Sequence, residues 1–309
     1  MTNQTTNFGI LGLGKMGGNM ARRLISKNIS IAIFDQDAAL TASLANEIKA
    51  TATTSLADMV SKLAKPRVLW MMLPAGDITE STLTQLQALL DKGDTIVDGA
   101  NSNYKDSVRR AAATETLGFN YMDAGVSGGV HGLANGYCLM VGGNAAALSA
   151  VQPYLEALAQ SADVGWLHSG PAGAGHFTKM IHNGIEYGMM AALAEGLSLI
   201  KAKKEFDIDL ADVTELWRHG SVVRSWLLDL TAETLKADQN LDAIKAHVPD
   251  SGEGRWTVNE SIEQGVPTPV MTMALMSRFA SQGADDYASK LLAKMRQGFG
   301  GHAVTIAKK

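Results

Sequence analysis

Short apolar runs alternate with segments of helical period through the first half of this 309-residue chain. Residues 8–11, 29–34, 68–73, 95–98 and 121–124 are apolar stretches of strand length, the pattern of strands buried on both faces. Between them, 16–26, 78–90 and 107–117 repeat their apolar positions with helical spacing. This alternation predicts an α/β fold, a doubly wound parallel sheet with helices on both sides. Residues 137–141 and 163–167 are expected to extend the sheet, with a helix over 145–159 between them. After Gly170-Pro171 the pattern turns helical. Pro171 suits the first turn of a helix reaching about residue 202. Loops are expected near 236–256 and 264–268. The expected organisation is an α/β domain over residues 1–168 and an all-helical domain over 169–309.

The first strand runs into Gly12-Leu13-Gly14-Lys15-Met16-Gly17, a G-x-G-x-x-G pattern between a strand and a helix. The first glycine permits a tight turn, and the second lets the backbone approach a pyrophosphate. The third allows close packing of helix on strand, while the helix N-terminus faces negative charge. An N-terminal Rossmann-type domain follows from that placement. The second strand ends at Phe34-Asp35, and Asp35 stands 18 residues after Gly17, where an acid can bind a ribose 2′-hydroxyl. Gln36 and Asp37 follow, with no arginine for a 2′-phosphate, so NAD is expected over NADP, which would be used at lower efficiency. Leu73, Pro74 and Ala75 end another strand at the same sheet edge and join Gly12–Gly17, Asp35 and Asn101 as expected cofactor contacts.

A second constellation lies on the helix that follows residue 171. Lys179, His182, Asn183, Glu186 and Tyr187 fall at relative positions 0, 3, 4, 7 and 8. At roughly 100° per residue they share about 140° of helix surface. A base, an acid and two hydrogen-bonding side chains on one stripe, flanked by Met180, Ile181 and Ile185, suit a catalytic wall. Lys179 and Glu186 are about 10.5 Å apart along the axis, so they can act on different carbons of one substrate. Three further segments add polar groups: Asp98-Gly99-Ala100-Asn101-Ser102 after a strand, Ser127-Gly128-Gly129 as a small nest for a carboxylate, and Arg296 with His302 near the C-terminus.

Composition narrows the function classes. The hydrophobic share of 46% and charged share of 19% are those of a globular chain, and a formal net charge of −4 argues against a nucleic-acid binder. Cys138 is the only cysteine, which excludes an intrachain disulfide. The first residues lack a signal-peptide pattern and no apolar run is long enough for a membrane span, so a cytoplasmic protein without a membrane partner is expected. No metal site is expected.

Segments 12–17, 98–104, 125–132, 173–188 and 296–302 together resemble the 6-phosphogluconate dehydrogenase family, within the wider β-hydroxyacid dehydrogenase superfamily. The resemblance covers nearly the whole chain. It is most specific at 175–188, because hydroxyisobutyrate-type relatives keep the lysine and an asparagine four residues on but not His-Asn-Gly-Ile-Glu-Tyr. The length is similar to that of the short, NAD-preferring branch. The resemblance implies that Lys179 takes the proton from the substrate's C3 hydroxyl as hydride leaves C3, and that Glu186 protonates C1 after CO2 departs. It implies that Ser127, Gly128 and Gly129 hold the carboxylate and that Asn101, His182 and Asn183 hold hydroxyls. Tyr187, Arg278, Arg296 and His302 would hold the phosphate of 6-phosphogluconate. It also implies a homodimer or homotetramer in which the C-terminal tail, with Arg296 and His302, lies near the partner's site.

One loop departs from the family pattern. At 249–257, Ser251 and Glu253 stand where long-branch enzymes carry a lysine and a threonine for the phosphate. A carboxylate is unfavourable there, so Glu253 is expected to point elsewhere or to pair with Arg255. Two other readings remain open: a β-hydroxyacid dehydrogenase or semialdehyde reductase that does not decarboxylate, and a non-catalytic nucleotide-sensing protein.

Overall fold

The computed structural model of the chain describes residues 6–283, 286–300 and 303–306. It divides into two compact units, Met1–Met180 and Ile181–Lys309. The first is built on β1 (Phe8–Leu11), β2 (Ala32–Phe34), β3 (Thr51–Ala52), β4 (Val68–Met71), β5 (Thr95–Asp98), β6 (Asn120–Ser127), β7 (Cys138–Gly143) and β8 (Trp166–Gly170). Their order across the sheet is β3-β2-β1-β4-β5-β6-β7-β8, parallel throughout except between β6 and β7. The connecting helices are α1 (Lys15–Ser26), α2 (Ala38–Ile48), α3 (Leu56–Lys62), α4 (Asp77–Gln87), α5 (Tyr104–Thr116), the short α6 (Gly132–Asn135) and α7 (Ala145–Leu158). Strands β1, β4 and β5 are buried along their whole length. One apolar cluster gathers Phe8, Ile10, Leu24, Trp70, Val97 and Leu155, and a second gathers Leu11, Met59, Leu69, Met71, Ile96 and Phe119. Adjacent strand residues such as Ile10 and Leu11 thus divide between two clusters, as alternation across a covered sheet requires.

The expected α/β sheet is therefore present, with differences at its margins. The pattern missed α2, α3 and β3. The last strand lies at Trp166–Gly170 rather than over 163–167. The long helix α8 (Ala174–Ala202) begins after Pro171 rather than on it. Gly170 at φ 146° and Gly173 at φ 94° hold left-handed conformations that a helix cannot accommodate. In the second unit α8 is followed by α9 (Leu210–Trp217), α10 (Trp226–Ala237), α11 (Glu253–Gln264), α12 (Pro269–Ser281) and α13 (Asp286–Gly300). Two small cores hold this unit, one around Tyr187, Ala274 and Leu275 and one around Leu197, Leu210 and Leu235. The loop expected over 236–256 ends earlier, because α11 starts at Glu253. No helix among the described residues is long and apolar enough to cross a membrane.

The start of α8 sits almost backbone to backbone on β6 and β7. A Cβ at Gly175 would lie 2.8 Å from the Asp123 carbonyl oxygen and 2.8 Å from the Gly142 nitrogen. A Cβ at Gly142 would meet Pro171 O at 2.6 Å, and one at Gly125 would meet Lys179 Cγ at 2.9 Å and overlap its Cβ. The helix start is capped from the sheet. Asp123, fully buried in β6, accepts the N–H of Gly173 at 2.6 Å and of His176 at 2.7 Å. Burial pushes the Asp123 carboxyl upward, while these N–H groups and nearby His176 favour the ionised form. Because no room exists beside Lys179, Gly125→Ala is expected to destabilise the fold by about 1–3 kcal/mol through overpacking. A urea midpoint equal to or above that of the parent protein would contradict this.

A buried polar network closes the other side of β5. Asp98 accepts from Arg110 Nη1 at 2.9 Å, Tyr121 Oη at 2.9 Å and the Ala100 N–H at 3.1 Å. Asp98 and Arg110 are essentially without solvent contact, so each needs the other: a lone buried charge would cost several kcal/mol. Burial together with the Asp98 charge pushes the Tyr121 hydroxyl well above its ordinary range and keeps it a donor. Arg110 Nε reaches Glu80 at 2.9 Å, and Arg109 grips the same carboxylate with two bonds of 2.8 and 2.7 Å. Hydrogen bonding from Arg109, then from Arg110, holds the Glu80 carboxyl down at about 2. A carboxyl whose folded pKa is depressed stabilises the fold fully above its unfolded value, near 4.5, and loses that contribution as the pH falls toward about 2. Urea titrations across that interval should show a shallower acid-side loss of stability for Glu80→Gln. Parallel curves for the two proteins would remove Glu80 from the acid response.

Candidate active site

The carboxyl ends of β1 and β4 form the switch point of the sheet, since the chain leaves β1 toward β2 on one side and returns to β4 on the other. Ligands of open α/β sheets bind in that crevice. The three glycines of the first turn are held there by different constraints. Gly12 takes φ 87°, and a Cβ on it would run into the Met72 carbonyl and come within 2.9 Å of Leu73 Cδ2. A Cβ at Gly17 would overlap the Gly12 carbonyl oxygen, whereas nothing lies within 4 Å of the Cβ position at Gly14. Gly14 is also the N-cap of α1 and supplies no side-chain cap, so the helix presents its first N–H groups outward. An open backbone at an uncapped helix start fits the pyrophosphate of a dinucleotide.

Asp35 braces this turn. Its Oδ2 accepts the Leu13 N–H at 2.7 Å and its Oδ1 the Asp37 N–H at 2.9 Å. Asp37 in turn caps α2 by accepting from Ala39 and Leu40. A carboxylate has about four acceptor positions, so Asp35 keeps capacity for a ribose hydroxyl. Leu73, Pro74 and Ala75 follow β4 directly, and the Pro74 carbonyl accepts from the Thr79 hydroxyl at 2.8 Å. Lys15 and Met16 open α1.

Asn101 lies in the turn after β5, between neighbours that Asp98 pins. The Ala100 N–H and the Ser102 hydroxyl both turn inward to Asp98, and Arg110 Nη1 donates to Ser102 Oγ at 3.0 Å. Ser127 ends β6. Gly128 at φ 124° and Gly129 at φ 50° then turn the chain into a 3₁₀ turn, with open space at the Gly129 Cβ position. Lys179 is half-buried one turn into α8, its stem against the bare Gly125 backbone. Within the first unit the sequence-derived residues thus occupy the carboxyl edge of the sheet and the helix start packed on β6.

In the second unit the remaining stripe residues form two groups. His182 Nδ1 lies 2.9 Å from Asn183 Oδ1 and 4.0 Å from a Glu186 carboxylate oxygen. Asn183 Nδ2 donates to Glu253 Oε1 at 2.8 Å. The side chains of His182 and Glu186 are each 40% exposed, while Glu253 is buried. The second group surrounds Tyr187. The Arg278 guanidinium stacks over its ring at 3.4 Å from the centroid, the Ser251 N–H approaches its hydroxyl at 3.4 Å, and Arg278 Nη1 donates to the Pro249 carbonyl at 3.0 Å. Tyr187, Arg278 and the 249–252 loop therefore meet, as a phosphate pocket would need.

Of the two arrangements expected for Glu253, the loop takes the one that points it elsewhere. Glu253 does not pair with Arg255; Arg255 binds Asp250 through bonds of 2.6 and 3.1 Å, and Glu253 turns inward to Asn183. Residues two apart on a helix face different directions, which separates Glu253 from Arg255. Arg296 is exposed on α13, and His302 lies outside the described residues. Sequence reasoning also missed Asp123. The signal was available: an aspartate inside an otherwise apolar strand must find buried donors.

The comparisons with known proteins follow the same plan. A profile of the NAD binding domain of 6-phosphogluconate dehydrogenase matches residues 7–167, and one of the C-terminal domain of 6-phosphogluconate dehydrogenase matches residues 175–306. A Bacillus subtilis protein provisionally named a 6-phosphogluconate dehydrogenase is 43% identical over 299 residues, spanning 96% of this chain and 98% of its own. A Haloferax volcanii protein named NAD(+)-dependent, decarboxylating 6-phosphogluconate dehydrogenase is 39% identical, with 96% and 98% covered. The solved 6-phosphogluconate dehydrogenase of Plasmodium falciparum superposes with a TM-score of 0.82 at 29% identity, over 97% of this chain and 66% of that one. With both halves matched and relatives of this identity aligned along almost their full length, the chain belongs to the 6-phosphogluconate dehydrogenase family of enzymes.

Proposed function

We propose that the chain oxidatively decarboxylates 6-phospho-D-gluconate to D-ribulose 5-phosphate and CO2 with reduction of NAD. The observation that carries this reading is the single helix α8, on which Lys179, His182, Asn183, Glu186 and Tyr187 keep the family spacing. Each has a fitting environment: Lys179 on Gly125, Glu186 beside His182, and Tyr187 beneath Arg278. The Haloferax volcanii relative's name supports the cofactor and the decarboxylation. The carboxylates of Asp35 and Asp37 at the end of β2 favour NAD, because they would repel a 2′-phosphate.

When bound, NAD supplies the hydride acceptor. The chain's own residues move protons and hold the sugar acid. Lys179 enters as the free amine and removes the proton of the C3 hydroxyl. As an ammonium it then hydrogen-bonds the C3 ketone oxygen, where the electron pair of the breaking C2–CO2 bond is delocalised. Glu186 delivers the proton that C1 requires as the enediol becomes ribulose 5-phosphate. Ser127, Gly128 and Gly129 hold the carboxylate, Asn101, His182 and Asn183 the hydroxyls, and Tyr187 with Arg278 the phosphate.

We further assign a homo-oligomer in which Arg296 and His302 complete the partner's phosphate pocket. Leu199, Ile262, Val270, Met273 and Leu292 are all more than 60% exposed in the second unit, apolar side chains that an oligomer interface could cover.

Initial rates with 6-phosphogluconate, gluconate and 3-hydroxyisobutyrate, each with NAD and NADP, test the reading. One CO2 is expected per NADH from 6-phosphogluconate alone. NADH without CO2, or faster turnover of 3-hydroxyisobutyrate, would replace it with simple alcohol oxidation. Lys179→Met should bind NAD normally yet lose at least about a hundredfold in kcat, the scale of a missing general base; parent-like turnover would assign the base elsewhere.

A further inference from the structure

The phosphate loop's departure from the family pattern gains a purpose from its contacts. Glu253 stands where a phosphate ligand is expected, yet it is 3% exposed and its Oε1 accepts from Asn183 Nδ2 at 2.8 Å. A carboxylate can only accept, so the Asn183 amide must turn its NH2 toward Glu253. Its carbonyl oxygen then faces His182, 2.9 Å from Nδ1. A carbonyl also only accepts, so His182 must carry its proton on Nδ1. Reversing the amide would set oxygen against carboxylate on one side. On the other it would require a bare Nδ1, which is also 4.0 Å from the Glu186 carboxylate. In the neutral ring the second nitrogen, Nε2, is then left with a lone pair.

We propose that Glu253 is a positioning residue that fixes the Asn183 amide and, through it, the Nδ1–H tautomer of His182, so that Nε2 accepts a hydrogen bond from a substrate hydroxyl. The assignment of the hydroxyl rests on the function proposed above; the tautomer does not. Glu253 acts at the second remove, with Asn183 and His182 between it and the sugar acid. It explains why a carboxylate is acceptable at a position where an anionic ligand would otherwise exclude one: its charge is turned into the helical unit and spent on an amide.

Nitrogen-15 NMR of the full chain labelled at histidine reads the tautomer directly, with the His182 signals identified by their loss in His182→Gln. Above the titration of that ring, the parent protein should show a protonated Nδ1 and an unprotonated Nε2. In Glu253→Gln the amide opposite Asn183 can donate as well as accept, so a second population with Nε2 protonated should appear. Asn183→Ala should release the tautomer in the same way, and it serves if the Gln variant fails to fold. With 6-phosphogluconate, kcat/KM of Glu253→Gln should fall about tenfold, the scale of one misdirected buried hydrogen bond. A parent ring protonated on Nε2 would overturn the proposal. So would variants that keep the parent tautomer, since Glu186 alone would then suffice. The spectra need no substrate. They can therefore fail while the parent enzyme still forms CO2 and NADH, and can hold even if 6-phosphogluconate is not turned over.

Discussion

A helix that starts on the face of a sheet has to satisfy its first N–H groups where water cannot reach them. In this chain the solution is the carboxylate of Asp123, which rises from β6 into the first turn of α8 and takes the N–H groups of Gly173 and His176. The interaction works only because three glycines, Gly125, Gly142 and Gly175, bring the two backbones together without side chains between them. Charge and close approach depend on each other. Without the donors Asp123 would be a buried charge at high cost, and with a methyl group in the seam the donors would be out of reach. Lys179 follows one turn later and inherits its position from that joint.

The same division of labour recurs at β5. Asp98, Arg110, Tyr121 and Ser102 form a set of buried bonds, and the residues on either side of Asn101 are drawn into it. Asn101 thus sits on a backbone that its neighbours hold in place. A site built this way holds its hydrogen-bonding groups on rigid neighbours rather than on their own packing, which lowers the reorganisation needed when a polar substrate arrives.

How much of this was legible in the sequence depended on distance along the chain. Strands at 8–11 and 95–98, the glycine turn and the α8 stripe were readable because each is a local pattern in which every residue takes part. Helices α2 and α3 were not. The first hides its face among alanines, with only Thr41, Leu44 and Ala45 buried, and the second has seven residues, too few for a period to declare itself. Strand β3 has two residues, both exposed. The helical stripe that carries Lys179 and Glu186 was legible from spacing, whereas the bond from Asn183 to Glu253 joins residues 70 apart and left no trace in either neighbourhood. Local charge reasoning left Glu253 either pointing elsewhere or paired with Arg255; helix geometry, which turns residues two apart in different directions, selects the first.

The first glycine turn separates two kinds of selection within six residues. Gly12 and Gly17 are fixed by the protein's own carbonyl oxygens, so any side chain there strikes the fold itself, whereas the Cβ position of Gly14 faces empty space. A population of variants sorted only for cellular abundance would therefore keep Gly12 and Gly17 and drift freely at Gly14. With the α1 N-terminus proposed to face a pyrophosphate, the same population sorted for growth that depends on the enzyme's turnover is expected to keep all three. At Gly14 a side chain would meet no atom of the fold itself, so packing alone does not hold that position.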